Sequence, residues 1–233
     1  MGNTSSRPRV GAPEGAGGTN FPSSAVSNPC ASIGPQAATV GEIVWRIWEA
    51  SLCLLPTTVS SDLTLTAGVD YLMEGRVTVG NGNGQLETNG DGTLADGSSV
   101  RNVTLTIEPG VKVLGKTGTF ANLVITRGSK LMAMGTQSAP IVFSSDDEGL
   151  DGSGEWGGLI MHGYALHNEC SEGGSYCDID SEGESGFAGG YDPNDSSGVL
   201  RYVVVAEGGY EFSTGNEING ISLVSVGNGT EMD

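Results

Sequence analysis

The chain has 233 residues, 39 of them Gly, and sets 28 Asp and Glu against 10 Lys and Arg, a formal net charge of −18. Such a surface repels nucleic-acid phosphates and anionic lipid heads, which argues against both as partners, and no apolar run approaches the length of a membrane span. The acidic balance suits divalent cations or a salty medium, and it equally serves solubility alone.

Residues 1–35 are mostly Gly, Pro, Ser and Asn, with little to bury, and read as a flexible leader. They lack the basic start and apolar stretch of a secretion signal, so the start reads as that of a mature chain. Met1-Gly2 with Ser6 matches an N-myristoylation pattern, but only loosely.

Residues 36–58 change character and form a separate N-terminal cap segment. Thr39 and Glu42 make a capping box. Val40, Ile43, Val44, Ile47, Trp48 and Leu52 recur at helical spacing, and Pro56 ends the pattern. The pattern predicts a short amphipathic helix over 39–55 with Ile47 and Trp48 buried. An irregular strand pair is the competing reading, because the run around Cys53 is β-rich.

From residue 59 to residue 233 short apolar segments repeat. Leu63-Thr64-Leu65-Thr66, Val103-Thr104-Leu105-Thr106-Ile107 and Leu123-Val124-Ile125-Thr126 alternate apolar and β-branched residues. Ile141-Val142-Phe143, Gly158-Leu159-Ile160-Met161, Leu200 to Val205 and Ile221-Ser222-Leu223-Val224 follow. Measured from Leu63, Val103, Leu123, Leu159, Leu200 and Ile221, the steps are 40, 20, 36, 41 and 21, near one or two multiples of a solenoid period. Alternation puts Leu63 and Leu65, or Leu105 and Ile107, on one strand face. A strand this short cannot bury that face alone, so successive coils must stack. Ala67-Gly68, Glu108-Pro109-Gly110 and Arg127-Gly128 supply the corners. The expected fold is all-β, a right-handed parallel β-helix capped at its N-terminus by the short helix. No comparable cap follows the last strand, so a C-terminally truncated longer protein, prone to end-to-end association, is expected.

Four cysteines, without a metal-ligand spacing, favour disulfides and an oxidising compartment. Of the three connectivities the local one is preferred: Cys30–Cys53 pins the cap and Cys170–Cys177 pinches a polar loop.

Several stretches, in this order, carry a family resemblance: Ser61 to Leu65, Leu105 to Gly110, Ile125 to Lys130, Gly135-Thr136 with Ala139 to Phe143, and Glu155 to Leu159. Over roughly residues 60–225 the chain resembles secreted or surface-attached right-handed β-helix proteins of Gram-negative bacteria, some of them lipoproteins, and more distantly the pectate lyases. That family is largely without an assigned activity, and the expected role is an extracellular or outer-membrane-associated scaffold, adhesin-like or binding a glycan or other ligand, and non-catalytic. Its alternative is a calcium-dependent polysaccharide lyase or hydrolase.

Function is expected in the long polar loops at 80–101, 145–155 and 168–198. Asp146, Asp147 and Asp151, with Glu148, form one acidic cluster, and Asp178 and Asp180, with Glu182 and Glu184, form another. Either is a candidate Ca2+ site, although solvated loop charge explains both. Trp156, before two glycines, is read as coil packing or as a sugar-stacking platform, and Tyr164 joins it as a candidate ligand residue. Arg127, Lys130 and Arg201 read as structural partners of neighbouring coils. His162 and His167 lack a zinc spacing, and no nucleophile stands near them in sequence.

Overall fold

A computed structural model describes residues 30, 44–45, 51–87, 92–147, 149–170 and 177–233. Strand β1 (Val44–Trp45) runs antiparallel to β2 (Ser51–Leu54). From β2 onward the chain winds through five coils of three short strands each. The first coil is β2, β3 (Thr58–Val59) and β4 (Leu63–Leu65). The second is β5 (Val69–Met73), β6 (Val77–Val79) and β7 (Thr104–Ile107). The third is β8 (Lys112–Gly115), β9 (Asn122–Ile125) and β10 (Lys130–Met134).

In the fourth coil, β11 (Ile141–Ser145) and β12 (Gly158–His162) precede a long insertion. The insertion carries an antiparallel hairpin, β13 (Ile179–Ser181) and β14 (Gly186–Ala188), joined by a 3-10 turn at Glu182–Glu184. Strand β15 (Gly198–Arg201) then closes the coil. The fifth coil begins with β16 (Val203–Val205) and detours through a small hairpin, β17 (Glu211–Ser213) and β18 (Asn216–Glu217). It ends with β19 (Ile221–Val224) and β20 (Glu231–Met232).

Equivalent strands of successive coils pair in parallel and build three sheets, β2-β5-β8-β11-β16, β3-β6-β9-β12-β19 and β4-β7-β10-β15-β20, with β1 on the edge of the first. This is a parallel β-helix. Registry places one interior ladder on each sheet. Cys53, Tyr71, Val113, Phe143 and Val205 stack on the first. Val59, Val79, Ile125, Met161 and Leu223 stack on the second. Leu65, Ile107, Ala133, Leu200 and Met232 stack on the third. Through the first four coils all of these are buried. In the fifth, Leu223 and Met232 are 41% and 48% exposed, because β16, β19 and β20 are the last strands of their sheets.

The coil repeat is less regular than the sequence steps suggest. Val59 to Val79 advances 20 residues for one turn, whereas Phe143 to Val205 takes 62, the excess lying in insertions. The step from Val103 to Leu123 passes between the third and second sheets, and so does the step from Leu200 to Ile221. Those two intervals count strands and not coils.

The expected helix over 39–55 is corrected. Val44–Trp45 and Ser51–Leu54 are paired strands, and the rest of that span lies outside the described residues. Residues four apart share a face in both helix and strand periods, so Val44 and Trp48 could not separate the two. What decides for strand is the parallel pairing of β2 with β5, which sends Cys53 inward to its disulfide with Cys30. The same pairing turns Leu52 and Leu54 outward, against Leu72 and Leu114. The second expected disulfide, Cys170–Cys177, is also formed.

The glycine pair after Trp156 works as the sequence implies. A Cβ on Gly157 would lie 2.8 Å from Asn122 Cβ in the coil before, and one on Gly158 would strike the Asn219 carbonyl in the coil after. The stacked interior also predicts unequal losses along the axis. Phe143→Ala should destabilise by about 3–5 kcal/mol, the range for emptying a buried aromatic site. Leu223→Ala, in the half-covered last coil, should lose less than about half of that. Equilibrium urea unfolding of the two variants reads the difference.

Candidate functional site

Most strands of this solenoid bury one face. β9 and β12 bury both. Their outward Val124 and Ile160 pack with Ile218, which follows the β17–β18 hairpin. Their outward polar residues, Asn122 and His162, are buried as well. Arg76 covers Asn122, and the insertion of the fourth coil covers His162 through Ser181 and Ser185.

Two arginines hold that insertion in place. Arg127, at the corner after β9, is fully buried. Its guanidinium pairs with Asp178 Oδ1 at 2.5 Å and donates to the carbonyls of Gly82 (2.7 Å), Gly189 (3.0 Å) and Gly84, and it lies 5.8 Å over the Tyr164 ring. Asp178 Oδ2 accepts from the Leu86 amide at 2.9 Å, so one ion pair joins the second-coil insertion to the fourth-coil insertion. Arg76 donates to Asn122 Oδ1 (3.0 Å) on the sheet and to the carbonyls of Glu184 (2.5 Å) and Gly183 in the 3-10 turn. A planar guanidinium with five donors suits this task of collecting carbonyls that no strand pairs.

Beneath the turn, His162 Nε2 lies 2.8 Å from Ser181 Oγ and 3.3 Å from Ser185 Oγ, and the two hydroxyls hydrogen-bond each other. Ser185 Oγ donates on to the Glu182 carbonyl at 2.9 Å. Burial, with Arg127 and Arg76 adding repulsion, pushes the His162 pKa down to about 3, so the ring is neutral. Its Nδ1 has no partner.

Between the hairpin and the edge of the second sheet lies an open cleft of about 420 Å3. Ile160, Ser222 and Val224 line it from the sheet; Asp180, Ser181 and Glu182 line it from the insertion. His167, Glu169 and Asn219 also line it, with Ile179, Ile221 and Leu223, and Asn219 Nδ2 donates to Glu182 Oε2 at 3.2 Å. Ser222 Oγ is buried without a hydrogen-bond partner. A second cleft, about 340 Å3, lies over the first sheet among Asp70, Lys112, Val142, Asp147 and Leu150.

The residues singled out from the sequence are dispersed by this geometry. Trp156 is fully buried in the interior cluster and donates to the Ala206 carbonyl at 2.7 Å, so its ring offers no platform to a ligand. Tyr164 lies against Arg127, and its amide donates to Asp195 Oδ2 at 3.0 Å. Asp146 accepts from the Thr117 amide and hydroxyl at 2.8 and 2.7 Å. Asp147 lines the second cleft, Asp151 is exposed, and Glu148 lies outside the described residues. Asp178 is committed to Arg127, while Asp180 faces the larger cleft. Among the described residues, no group of three or more His, Cys, Asp or Glu side chains is gathered to hold a metal ion.

Sequence reasoning missed Glu207. Its buried carboxylate accepts from Ser144 Oγ, from Ser145 Oγ (3.0 Å) and from the amides of Ser145 (3.2 Å) and Asp151 (3.1 Å). Burial raises its pKa, but these hydrogen bonds outweigh it and hold the carboxyl below its ordinary value. Glu207 thereby ties the loop after β11 to the fifth coil, and it does so from a left-handed backbone (φ 60°). Val205-Ala206-Glu207-Gly208 gives no periodic hint of this; only the following Gly-Gly marks a bend.

Two outcomes follow from the buried charges. Asp178→Asn should destabilise by about 3–5 kcal/mol, because it strands a buried guanidinium, and pairing it with Arg127→Met should recover part of the loss; chemical melts of the three variants check this. For His162 the folded value lies below the unfolded one. Stability from this group is therefore complete above pH 6.5 and is lost as pH falls toward about 3. The slope approaches ~1.4 kcal/mol per pH unit in that window. Urea melts across it should show the slope in the parent and a flatter profile in His162→Gln.

No helix among the described residues is long and apolar enough to cross a membrane. No match to the chain was found among curated proteins or among solved structures. The family model for the pectate-lyase-like β-helix domain matches residues 89–233, and the strands at 51–79, ahead of that range, join the same three sheets. Fold and match together assign the chain to the pectate-lyase-like β-helix family.

Proposed function

We propose that the protein is a non-catalytic, extracellular or outer-membrane-associated scaffold that binds a glycan in the cleft between the fourth-coil insertion and the second sheet. The β-solenoid is the rigid part, and the insertion clamped by Arg76 and Arg127 is the recognition part. One observation carries the reading. A preformed cleft of about 420 Å3 combines apolar lining at Ile179 and Val224 with convergent polar groups at Asp180, Glu182 and Asn219. Sugars are bound in this way, a ring face on apolar carbon and hydroxyls on fixed carboxylates and amides. Two disulfides support the compartment, since such bonds persist where thiols are not kept reduced.

The lyase reading would need carboxylates converging with a base on one face. Asp178, Asp146 and Glu207 instead serve Arg127, Thr117 and the amides around Ser145, and Glu169, Asp180 and Glu182 share the cleft with His167 but, among the described residues, with no Lys or Arg. The reading is tested by calorimetry of the intact chain against a panel of glycan oligomers. Asn219→Ala should weaken binding of any oligomer that binds, by roughly two- to tenfold, the worth of one hydrogen bond. Absence of binding across the panel would remove the glycan reading. New reducing or unsaturated ends in the same samples would remove the non-catalytic one.

A further inference from the structure

We infer that this cleft selects glycans bearing free amino groups and rejects polyuronates; the inference rests on the glycan reading above and names its ligand class. Three carboxylates, those of Glu169, Asp180 and Glu182, line the cleft, and all three residues are exposed. Among the described residues, no Lys or Arg lines it. The two arginines that reach the insertion are spent, Arg127 on Asp178 and three carbonyls, Arg76 on Asn122 and two carbonyls. A uronate carboxylate entering here would meet like charge and no cation. An ammonium would meet two or three counter-charges.

Neutral recognition is present but incomplete. Asn219 is already engaged with Glu182. Ser222 Oγ is buried beneath the lining and presents no hydroxyl to a ligand. A neutral sugar can use Asn219 and the apolar lining, but it leaves the carboxylates uncompensated when it displaces their water. The chain's net charge of −18 acts in the same direction at long range, drawing polycations toward the surface and repelling polyanions. Exposed ion pairs are individually weak, so two or three of them together give a preference on the order of tenfold.

The experiment titrates the intact chain with three oligomers of equal length, one of glucosamine, one of N-acetylglucosamine and one of galacturonic acid, at a pH that keeps the amines protonated. The glucosamine oligomer should bind about tenfold more tightly than its acetylated counterpart, and the gap should close at high salt. The galacturonic acid oligomer should not bind. The double variant Asp180→Asn, Glu182→Gln should lose the preference while keeping the weaker N-acetylglucosamine affinity. Equal or tighter binding of the acetylated or the uronic oligomer overturns the charge selection and leaves the glycan reading standing. A preference that survives in the double variant shows that the selecting charges lie elsewhere and also overturns it. No binding by these oligomers or by the wider panel overturns both.

Discussion

Strands of two to five residues are too short to bury a face by themselves, and every feature of this molecule follows from how that shortage is met. Side chains at one height on each wall of the coil stack directly on their equivalents one turn away, as Tyr71, Val113 and Phe143 do. The ladder needs strict parallel registry, since a slip of one residue would turn each interior side chain to the solvent. Registry in turn tolerates variable coil length. Extra chain leaves the stack at a corner and returns to the same height, which is why 62 residues can separate Phe143 from Val205 without disturbing their pairing.

That tolerance creates a second problem, which the polar residues meet. A loop of some thirty residues leaving a corner has many backbone carbonyls and amides and no ladder to satisfy them. Arg76 and Arg127 gather three such carbonyls of the fourth-coil insertion and two of the second-coil insertion, and Asp178 and Glu207 gather the amides of Leu86, Ser145 and Asp151. Because Arg127 joins chain from the second, third and fourth coils, the insertion is fixed to the stack at several heights. The rigidity of the solenoid is carried into the loop that lines the larger cleft. The pair is buried, so it stabilises mainly through what its loss would expose, and its service is positional.

How much of this the sequence displayed depends on range. Coil walls are local: Leu63-Thr64-Leu65 or Val103 to Ile107 states its own period, and Pro109-Gly110 states its own corner. The disulfide partners lie 23 and 7 residues apart, near enough for pairing by proximity. At 39–55 the local signal misled, because a few apolar residues fit two periods and the deciding contact, β2 on β5, is tertiary. The candidate site is long-range throughout. Arg76 meets Gly183 and Glu184 across more than a hundred residues, and Arg127 meets Asp178 across 51. Carboxylates adjacent in sequence face different ways, so Asp178 turns inward while Asp180 faces the cleft. Trp156 misled for the opposite reason, an aromatic beside glycines being equally suited to a platform and to a core.

Membership in the pectate-lyase-like family therefore describes the stack and leaves its chemistry open, as expected where sites are built on insertions. The stack is specified by residues whose identity is interchangeable among small and branched apolar side chains. The cleft is specified by which sign of charge the insertion leaves unpaired after its own backbone has been satisfied. Here the cations are consumed in holding the loop and the anions Glu169, Asp180 and Glu182 remain. The loop's structural requirement and the cleft's electrostatic character are thus one arrangement. An insertion anchored by buried arginines takes positive charge out of the surface and leaves an acidic rim, and the ligand that suits the rim is set by that division.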